Sequence, residues 1–128
     1  VADRQSVSLS LQGEHAEING VDQLLKEMIY NLLDNAVKYN VPGGSVTVSV
    51  RKAGPRTVLS VADTGIGIPY ADQPRVFERF YRVDKSHSKE VGGTGLGLSI
   101  VRHAAQYHNA RLDLKSQPGK GTTITVTF

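Results

Sequence analysis

Apolar and polar residues alternate in several short runs of the chain, which is the pattern of half-buried β-strands. The runs are SVSLSLQG at 6–13, AEIN at 16–19, SVTVSVRKAGPRTVLSVAD at 45–63, RLDLKS at 111–116 and TTITVTF at 122–128. A Gly-Pro turn interrupts the third run, and QPGKG separates the last two. Because such turns join neighbouring antiparallel strands, the pattern predicts one hairpin at 45–63 and another at the C-terminal end.

Two other segments repeat their apolar residues at the spacing of an α-helix. The first has apolar residues at Val21, Leu24, Leu25, Met28, Ile29, Leu32, Leu33, Ala36 and Val37. Asn19 is predicted to cap this helix, with Asp22 bonding back to its backbone, and VPGG to end it. The second segment is GTGLGLSIVRHAAQYHNA at 93–110, whereas residues 72–92 are charged and predict only short helical stretches.

Strands that come in hairpins, with long helices between them, predict an α+β fold. We expect a two-layer sandwich in which a mixed, mostly antiparallel sheet of about five strands is covered on one face by about three helices. A chain of 128 residues suits a single domain over 1–128, which would bury roughly two-thirds of its unfolded surface around one core.

Composition narrows the class of protein. The absence of cysteine excludes disulfide scaffolds, thiolate zinc sites and thiol nucleophiles. A net charge of +3 suits an anionic partner but is too small to indicate nucleic acid, and 6% aromatic residues without tryptophan do not make a base-stacking platform. We recognise no signal peptide and no apolar run of membrane-spanning length. We therefore expect a soluble domain, in keeping with a piece of a larger protein, and no nucleic-acid partner.

A stripe of polar side chains runs beside the apolar face of the first helix. At about 100° per residue, it contains Glu27, Asn31, Asn35 and Lys38. A solvated polar face is the commoner reason for such a stripe, but asparagine is a mediocre helix former, and two within one turn indicate a use. Because an amide oxygen suits Mg²⁺ and a lysine suits phosphate, the stripe predicts a site for a metal and a polyphosphate together.

Two glycine-rich segments, DTGIGIP at 63–69 and GGTGLGLS at 92–99, match neither the dinucleotide fingerprint nor the GxxxxGK phosphate loop. The second leads directly into a helix whose first amide groups can receive phosphate, although a structural helix start would use the same glycines. Asp63 follows a strand at the head of the first segment. It either accepts hydrogen bonds at the edge of a cleft or serves as a turn former.

Five motifs in this order resemble the sequence boxes of one family. NLLDNAVKY at 31–39 resembles its N box, DTGIGIP its first glycine box, VFERFYR at 76–82 its F box, GGTGLGLSIV at 92–101 its second glycine box and GKGTT at 119–123 the last. The family is the ATP-binding catalytic domain of sensor histidine kinases, in the superfamily shared with gyrase, heat-shock chaperone and mismatch-repair ATPases. The resemblance covers nearly the whole chain and implies a protein histidine kinase domain that uses ATP and Mg²⁺.

The resemblance also implies a role for particular residues. Asn35 would coordinate Mg²⁺, Asn31 would support the phosphates and the waters of the metal, and Lys38 would contact phosphate. Asp63 would accept a hydrogen bond from the adenine amine, and Arg82 would reach the terminal phosphate. Asn31, Lys38 and Arg82 would be the catalytic residues. The other cofactor-binding positions that it implies are Tyr39, Gly65, Gly67, Ile68, Tyr81, Gly93, Thr94, Gly95, Leu96, Gly97, Leu98 and Thr122.

The chain departs from the family in its histidines. None of His15, His87, His103 and His108 is followed by an acidic residue, as the phospho-accepting histidine of the family normally is. We therefore expect the substrate histidine on a separate dimerising helical hairpin, with a response regulator downstream. By family analogy the isolated domain would be a monomer and the full kinase a homodimer. The resemblance implies a cytoplasmic domain of a membrane-anchored bacterial sensor kinase.

Two alternative functions use the same fold, an ATP-hydrolysing clamp or chaperone module and a nucleotide-sensing scaffold. Asn31 argues against the first, because those hydrolases place a glutamate there to activate water and an amide cannot accept that proton. The intact boxes and Arg82 argue against the second. In the kinase, residues between Phe80 and Gly92 would form a mobile lid, and Asn109 would take the left-handed helix cap in place of a glycine.

Overall fold

The computed structural model describes residues 8–13, 20–79, 81 and 97–128. Its elements in chain order are β1 (Ser8–Gly13), α1 (Asp22–Lys38), β2 (Ser45–Ala53), β3 (Arg56–Asp63), a 3₁₀ turn (Gln73–Arg75), α2 (Gly97–Tyr107), β4 (Arg111–Gln117) and β5 (Gly121–Thr127). Within these ranges neither α-helix combines the length and the apolar character needed to cross a bilayer. The strand predicted at 16–19 lies outside the described residues.

The strands form one five-stranded sheet in the order β1-β2-β3-β5-β4. β1 pairs in parallel with β2, and the other neighbouring strands are antiparallel. α1 provides the crossover that a parallel pair requires. The hairpins predicted at 45–63 and at the C-terminal end are confirmed, as is the mixed, mostly antiparallel sheet.

The hydrophobic core lies between one face of the sheet and the two α-helices. Its fully buried side chains come from both layers, Met28 and Leu32 from α1, Val101 from α2, and Val46 and Val126 from the sheet. Burying a side chain of this size stabilises the fold by about 1.5–3 kcal/mol. Each helix contributes an apolar stripe, as its spacing of residues predicted.

The strand positions that alternate with the core-facing ones carry small polar residues on the other face of the sheet. Ser60 on β3 and Thr125 on β5 are an example, with their hydroxyl oxygens 3.1 Å apart. The two-layer α+β sandwich is therefore confirmed. In the described residues, two α-helices and one 3₁₀ turn stand where we expected about three helices.

α1 begins at Asp22, and its N-cap residue is Val21 rather than the predicted Asn19. Val21 makes no side-chain cap, so the predicted capping box was wrong. The Val21 N–H donates instead to Nε2 of His108, 3.0 Å away at the end of α2. This N–H is therefore satisfied by a distant segment and not by a neighbouring side chain. The local sequence around Asn19 does not contain that contact, so it did not predict the start of the helix correctly.

α2 ends in a left-handed cap at Asn109, whose φ is 54°. The Ala110 N–H donates to the Ala105 carbonyl oxygen at 2.8 Å, and the Asn109 N–H donates to that of Gln106 at 3.1 Å. These two bonds are the Schellman pattern that normally uses glycine at the left-handed position. The prediction that asparagine takes this cap is confirmed.

Candidate nucleotide-binding site

A half-buried carboxylate marks one end of the candidate site, where β3 ends at Asp63. Its Oδ1 accepts hydrogen bonds from the N–H groups of Gly65 at 2.9 Å and Thr122 at 3.2 Å. The bond to Gly65 is the one expected if Asp63 serves as a turn former. The bond to Thr122 spans 59 residues and therefore belongs to no turn. Burial raises the pKa of the Asp63 carboxyl, and the two N–H donors oppose that rise.

The glycine-rich segment after Asp63 packs so closely that two of its glycines have no room for a side chain. A Cβ on Gly65 would collide with the Tyr39 carbonyl oxygen at the end of α1. Gly67 has a φ of 71°, and a Cβ there would collide with the Gln117 carbonyl oxygen in the β4–β5 hairpin. These glycines therefore allow the segment to lie between α1 and the hairpin.

Ile66 is held from both sides by backbone hydrogen bonds. Its N–H donates to the Tyr39 carbonyl oxygen at 3.1 Å, and its carbonyl oxygen accepts from the Gly119 N–H at 2.7 Å. The segment thus joins the end of the predicted N box to the turn of the predicted last glycine box, although these lie far apart in the sequence.

Two residues that the sequence interpretation missed, Gln73 and Ser116, hold the end of this segment. The Ile68 N–H donates to Ser116 Oγ at 2.8 Å, and Gln73 Nε2 donates to the carbonyl oxygens of Ile68 and Ser116 at 2.9 and 3.1 Å. Ser116 follows Leu112 and Leu114 at a spacing of two, so it occupies a core-facing strand position that is usually apolar. A serine at such a position indicates a hydrogen-bonding role, whereas no feature of the sequence around Gln73 indicates its contacts.

A cavity of about 560 Å³ opens where the glycine-rich segment meets the β4–β5 hairpin. Asp63, Gln73, Ser116 and Thr122 contribute to its lining. Thr122 is 6% exposed, and its hydroxyl oxygen lies 2.8 Å from that of Ser116. The fold thus brings the predicted site residues Asp63 and Thr122 to one cavity.

The polar stripe of α1 lies at the edge of the core, where Asn31 and Asn35 are both half-buried. Asn31 Nδ2 donates to the Glu27 carbonyl oxygen one turn earlier, at 2.7 Å. The Asn35 side chain makes no hydrogen bond with any of the described residues. Its amide oxygen is therefore free to act as a ligand for a hard cation, so this residue fits the predicted metal.

Lys38 is paired with a residue that the sequence interpretation missed, Asp34. The Lys38 ammonium lies 3.0 Å from Asp34 Oδ2, and the two side chains are 28% and 19% exposed. Asp34 follows Asn31 by three residues and so belongs to the same side of α1. A phosphate that approaches Lys38 would compete with this carboxylate.

The first residue of α2 lies beside the stripe of α1. A Cβ on Gly97 would be 3.3 Å from Asn31 Oδ1, so there is little room between the two helices here. A helix N-terminus attracts anions through its free N–H groups and its dipole. Leu98 is half-buried and packs against the hydrophobic core, so its side chain holds the start of α2 against that core.

The remaining predicted positions divide into described and undescribed ones. Tyr39 is half-buried at the C-cap of α1. The Tyr81 hydroxyl donates to the Asp72 carboxylate, and the Arg75 guanidinium lies 4.6 Å from the ring centroid, which joins Tyr81 to the 3₁₀ turn. Outside the described residues lie Arg82, Gly93, Thr94, Gly95 and Leu96, together with most of the lid predicted between Phe80 and Gly92.

Residues 20–128 match the family described as "Histidine kinase-, DNA gyrase B-, and HSP90-like ATPase". The chain belongs to this family. Its members bind ATP, which agrees with the resemblance found in the sequence boxes. The match covers α1, both glycine-rich segments and both hairpins, so it includes the whole candidate site.

This ATPase-family domain is similar to named sensor histidine kinases. The sensor-like histidine kinase SenX3 of Mycolicibacterium smegmatis is 46% identical over 128 residues, which cover 99% of this chain and 33% of SenX3. The solved structure of the mycobacterial sensor histidine kinase MprB superposes with a TM-score of 0.84 at 29% identity, covering 99% of this chain and 86% of that chain. These similarities support a protein histidine kinase catalytic domain.

A further solved structure is a complex with AMPPNP. Full-length ShkA in complex with AMPPNP superposes with a TM-score of 0.79 at 25% identity. The match covers 98% of this domain and 26% of the ShkA chain. The domain thus spans about a third or less of the length of SenX3 and ShkA, and it corresponds to one part of each.

Proposed function

We propose that this ATPase-family domain binds Mg-ATP between α1, the segment at 63–69 and the start of α2, and donates the terminal phosphate to a histidine on a separate domain. The observation that carries the proposal is the half-buried Asp63 carboxylate, held by the N–H groups of Gly65 and Thr122 at the edge of a cavity. The AMPPNP bound by the similar ShkA supports the choice of nucleotide.

Asp63 would recognise the base. A carboxylate only accepts hydrogen bonds, so it pairs with the exocyclic amine of adenine and is mismatched to the carbonyl oxygen of guanine. Gly65 and Gly67 let the segment pack against the carbonyl oxygens of Tyr39 and Gln117 and so keep its backbone close to the end of β3. Thr122 would complete the base site from β5, and Tyr39 and Ile68 would border it.

The stripe of α1 would hold the triphosphate. Asn35 would be the protein ligand of Mg²⁺, because its amide oxygen has no competing hydrogen bond from the described residues. Mg²⁺ commonly binds through one or two protein groups together with waters and substrate phosphates, and it would neutralise phosphate charge here. Asn31 and the start of α2 would lie beside this ion, since Gly97 is close to Asn31 Oδ1. The Lys38 ammonium would leave the Asp34 carboxylate and bind a phosphate oxygen.

Phosphoryl transfer from this site requires positioning and charge neutralisation more than a catalytic base in this chain. A neutral imidazole nitrogen of the acceptor histidine would form a P–N bond while the bond from the terminal phosphorus to the ADP oxygen breaks. Arg82, Gly93, Thr94, Gly95 and Leu96 would contact the phosphates, in keeping with the family boxes. Asn31 cannot take a proton from water, and its amide is engaged with the Glu27 carbonyl, so fast hydrolysis is not favoured.

The rest of the proposed protein follows from the similarity to sensor kinases. The acceptor histidine would lie on a dimerising helical hairpin, and a response regulator would receive the phosphate from it. The full kinase would be a homodimer anchored in a bacterial membrane, with this domain in the cytoplasm. Since the chain matches only 33% of SenX3, these partners and the location are proposals for the whole protein.

Transfer of labelled phosphate tests the proposal. The 128-residue chain is incubated with ATP labelled on the terminal phosphate, Mg²⁺ and a separate helical hairpin that carries the acceptor histidine. Label should appear on the hairpin in the acid-labile form that phosphohistidine takes, and a hairpin with that histidine replaced should stay unlabelled. Rapid release of labelled inorganic phosphate without any labelled hairpin would instead support the hydrolysing clamp.

A further inference from the structure

A chain of hydroxyl groups runs from the glycine-rich segment to the cavity beside Asp63, and Ser116 is its junction. Ser116 Oγ lies 2.8 Å from the Ile68 backbone nitrogen, 3.0 Å from the Gly121 carbonyl oxygen and 2.8 Å from the Thr122 hydroxyl oxygen. Three hydrogen bonds are the full capacity of a serine hydroxyl, which donates once and accepts twice.

The identity of the three partners determines which way each proton points. The Ile68 N–H can only donate, so it occupies one lone pair of Ser116. The Gly121 carbonyl oxygen can only accept, so it receives the Ser116 proton. Thr122 must therefore donate its own proton to the second lone pair of Ser116. In this arrangement every hydrogen-bonding position of Ser116 is used once.

The direction of the bond from Thr122 decides what that residue offers to the cavity. With its proton on Ser116, Thr122 Oγ1 has only lone pairs left, as has the ionised carboxylate of Asp63. Thr122 and Asp63 are register partners on adjacent strands, and both line the cavity. The cavity wall therefore presents two hydrogen-bond acceptors side by side, which match an amine with two protons and repel a carbonyl oxygen.

We propose that Ser116 is a positioning residue that sets the choice of base by holding the Thr122 hydroxyl as an acceptor beside Asp63. This inference rests on the proposed binding of ATP at this site. Adenine carries an exocyclic amine where guanine carries a carbonyl oxygen. Without Ser116, the Thr122 hydroxyl can turn and donate to that carbonyl, so the rejection of GTP weakens.

The experiment measures the affinities of ATP and GTP for the 128-residue chain by competition with a fluorescent ATP analogue in excess Mg²⁺. Ser116→Ala should reduce the preference for ATP over GTP by about three- to tenfold, as expected for one redirected hydrogen bond. Ser116→Thr retains the hydroxyl and should retain the preference. Thr122→Val removes the proposed acceptor directly and should reduce the preference as well.

Two matched variants separate this role from a purely structural one. Gln73→Met loosens the same segment by removing the donors to Ile68 and Ser116, but it leaves the hydroxyl chain in place. It should weaken ATP and GTP alike. Ser60→Ala removes a similar serine–threonine hydroxyl pair from β3 and β5, outside the site, and should leave both affinities unchanged.

The outcomes distinguish this inference from the proposed function. If folded Ser116→Ala or Thr122→Val keeps the wild-type preference, the positioning role is wrong while ATP binding stands. If Ser116→Ala weakens both nucleotides equally, as Gln73→Met should, its role is structural and the inference is also overturned. Should the wild type bind neither nucleotide, both the proposed function and this inference fall.

Discussion

The carboxylate of Asp34 lies 3.0 Å from the ammonium of Lys38, one helical turn apart on the side of α1 that carries the polar stripe. The pair is more protected from water than a typical surface pair, since its side chains are only 28% and 19% exposed. The residue proposed to bind phosphate therefore has an intramolecular anion already in place. Asp34 and the phosphates would compete for one cation, so Asp34 would moderate the affinity for nucleotide.

The first prediction is that Asp34→Asn tightens Mg-ATP binding by about two- to fivefold, because the ammonium of Lys38 no longer has to leave a carboxylate. Competition titration with a fluorescent nucleotide measures this change. Asp22→Asn is the matched control, since the Asp22–Lys26 pair on the same helix has the same 3.0 Å separation but is 83% and 73% exposed. Weaker binding by Asp34→Asn would show that Asp34 orients Lys38 instead of competing with phosphate.

The second prediction concerns the proposed metal ligand. Asn35→Ala should weaken ATP binding in the presence of Mg²⁺ by about tenfold or more, and should have little effect when Mg²⁺ is chelated. Its free energy of unfolding should stay within about 0.5 kcal/mol of the wild type, because the side chain is at the rim of the core. Gln23→Ala, an exposed amide on the same helix, controls for changes in α1. An equal loss with and without Mg²⁺ would remove Asn35 from the metal site.

The third prediction is the choice of base at Asp63. The wild type should prefer ATP to GTP by roughly tenfold to several hundredfold, because a carboxylate facing the guanine carbonyl loses a charged hydrogen bond. Asp63→Asn should narrow the preference, since an amide can both accept from adenine and donate to guanine. Titration of both nucleotides against both proteins measures it. Equal wild-type affinities would leave Asp63 as a turn former alone.

The fourth prediction follows from the raised pKa of Asp63, whose ordinary value is 3.8. Because the folded state holds this proton more tightly than the unfolded chain, the contribution to stability is fully present below the ordinary value and is lost as pH rises through the folded-state pKa. Urea unfolding of the wild type and Asp63→Asn between about pH 3 and pH 8 isolates this contribution as the difference between the two. A wild type that gains stability relative to the variant as pH rises would show that the N–H donors outweigh burial.

The fifth prediction compares two glycines with similar backbones. Gly67 and Gly54 have φ values of 71° and 62°, but a Cβ on Gly67 would strike the Gln117 carbonyl oxygen while a Cβ on Gly54 would meet nothing within 4 Å. Gly54→Ala should cost about 1 kcal/mol of stability for its backbone conformation alone, and Gly67→Ala about 2–3 kcal/mol or more. Denaturant unfolding of both variants checks this. Equal costs would show that the segment can shift away from the hairpin.

The secondary structure was largely readable from the sequence because its determinants are local. Alternation at a spacing of two marked β2, β3, β4 and β5, and apolar spacing at three and four marked α1 and α2. The start of α1 was the exception. The N–H of Val21 is satisfied by His108, a residue 87 positions away, and the local pattern that predicted Asn19 as the cap does not contain that contact.

The sequence by itself determined the family, through five ordered motifs. It also indicated that Asp63 and the polar stripe of α1 have a chemical role. Only the tertiary structure decided how those groups are supported. The contacts from Ser116 to Ile68 and from Gln73 to Ser116 join residues 48 and 43 positions apart. They depend on the strand order β3-β5-β4, which brings the end of β4 beside the glycine-rich segment after β3. Periodicity and motifs describe neighbours along the chain, whereas these bonds arise from the packing of strands whose order the local pattern does not contain.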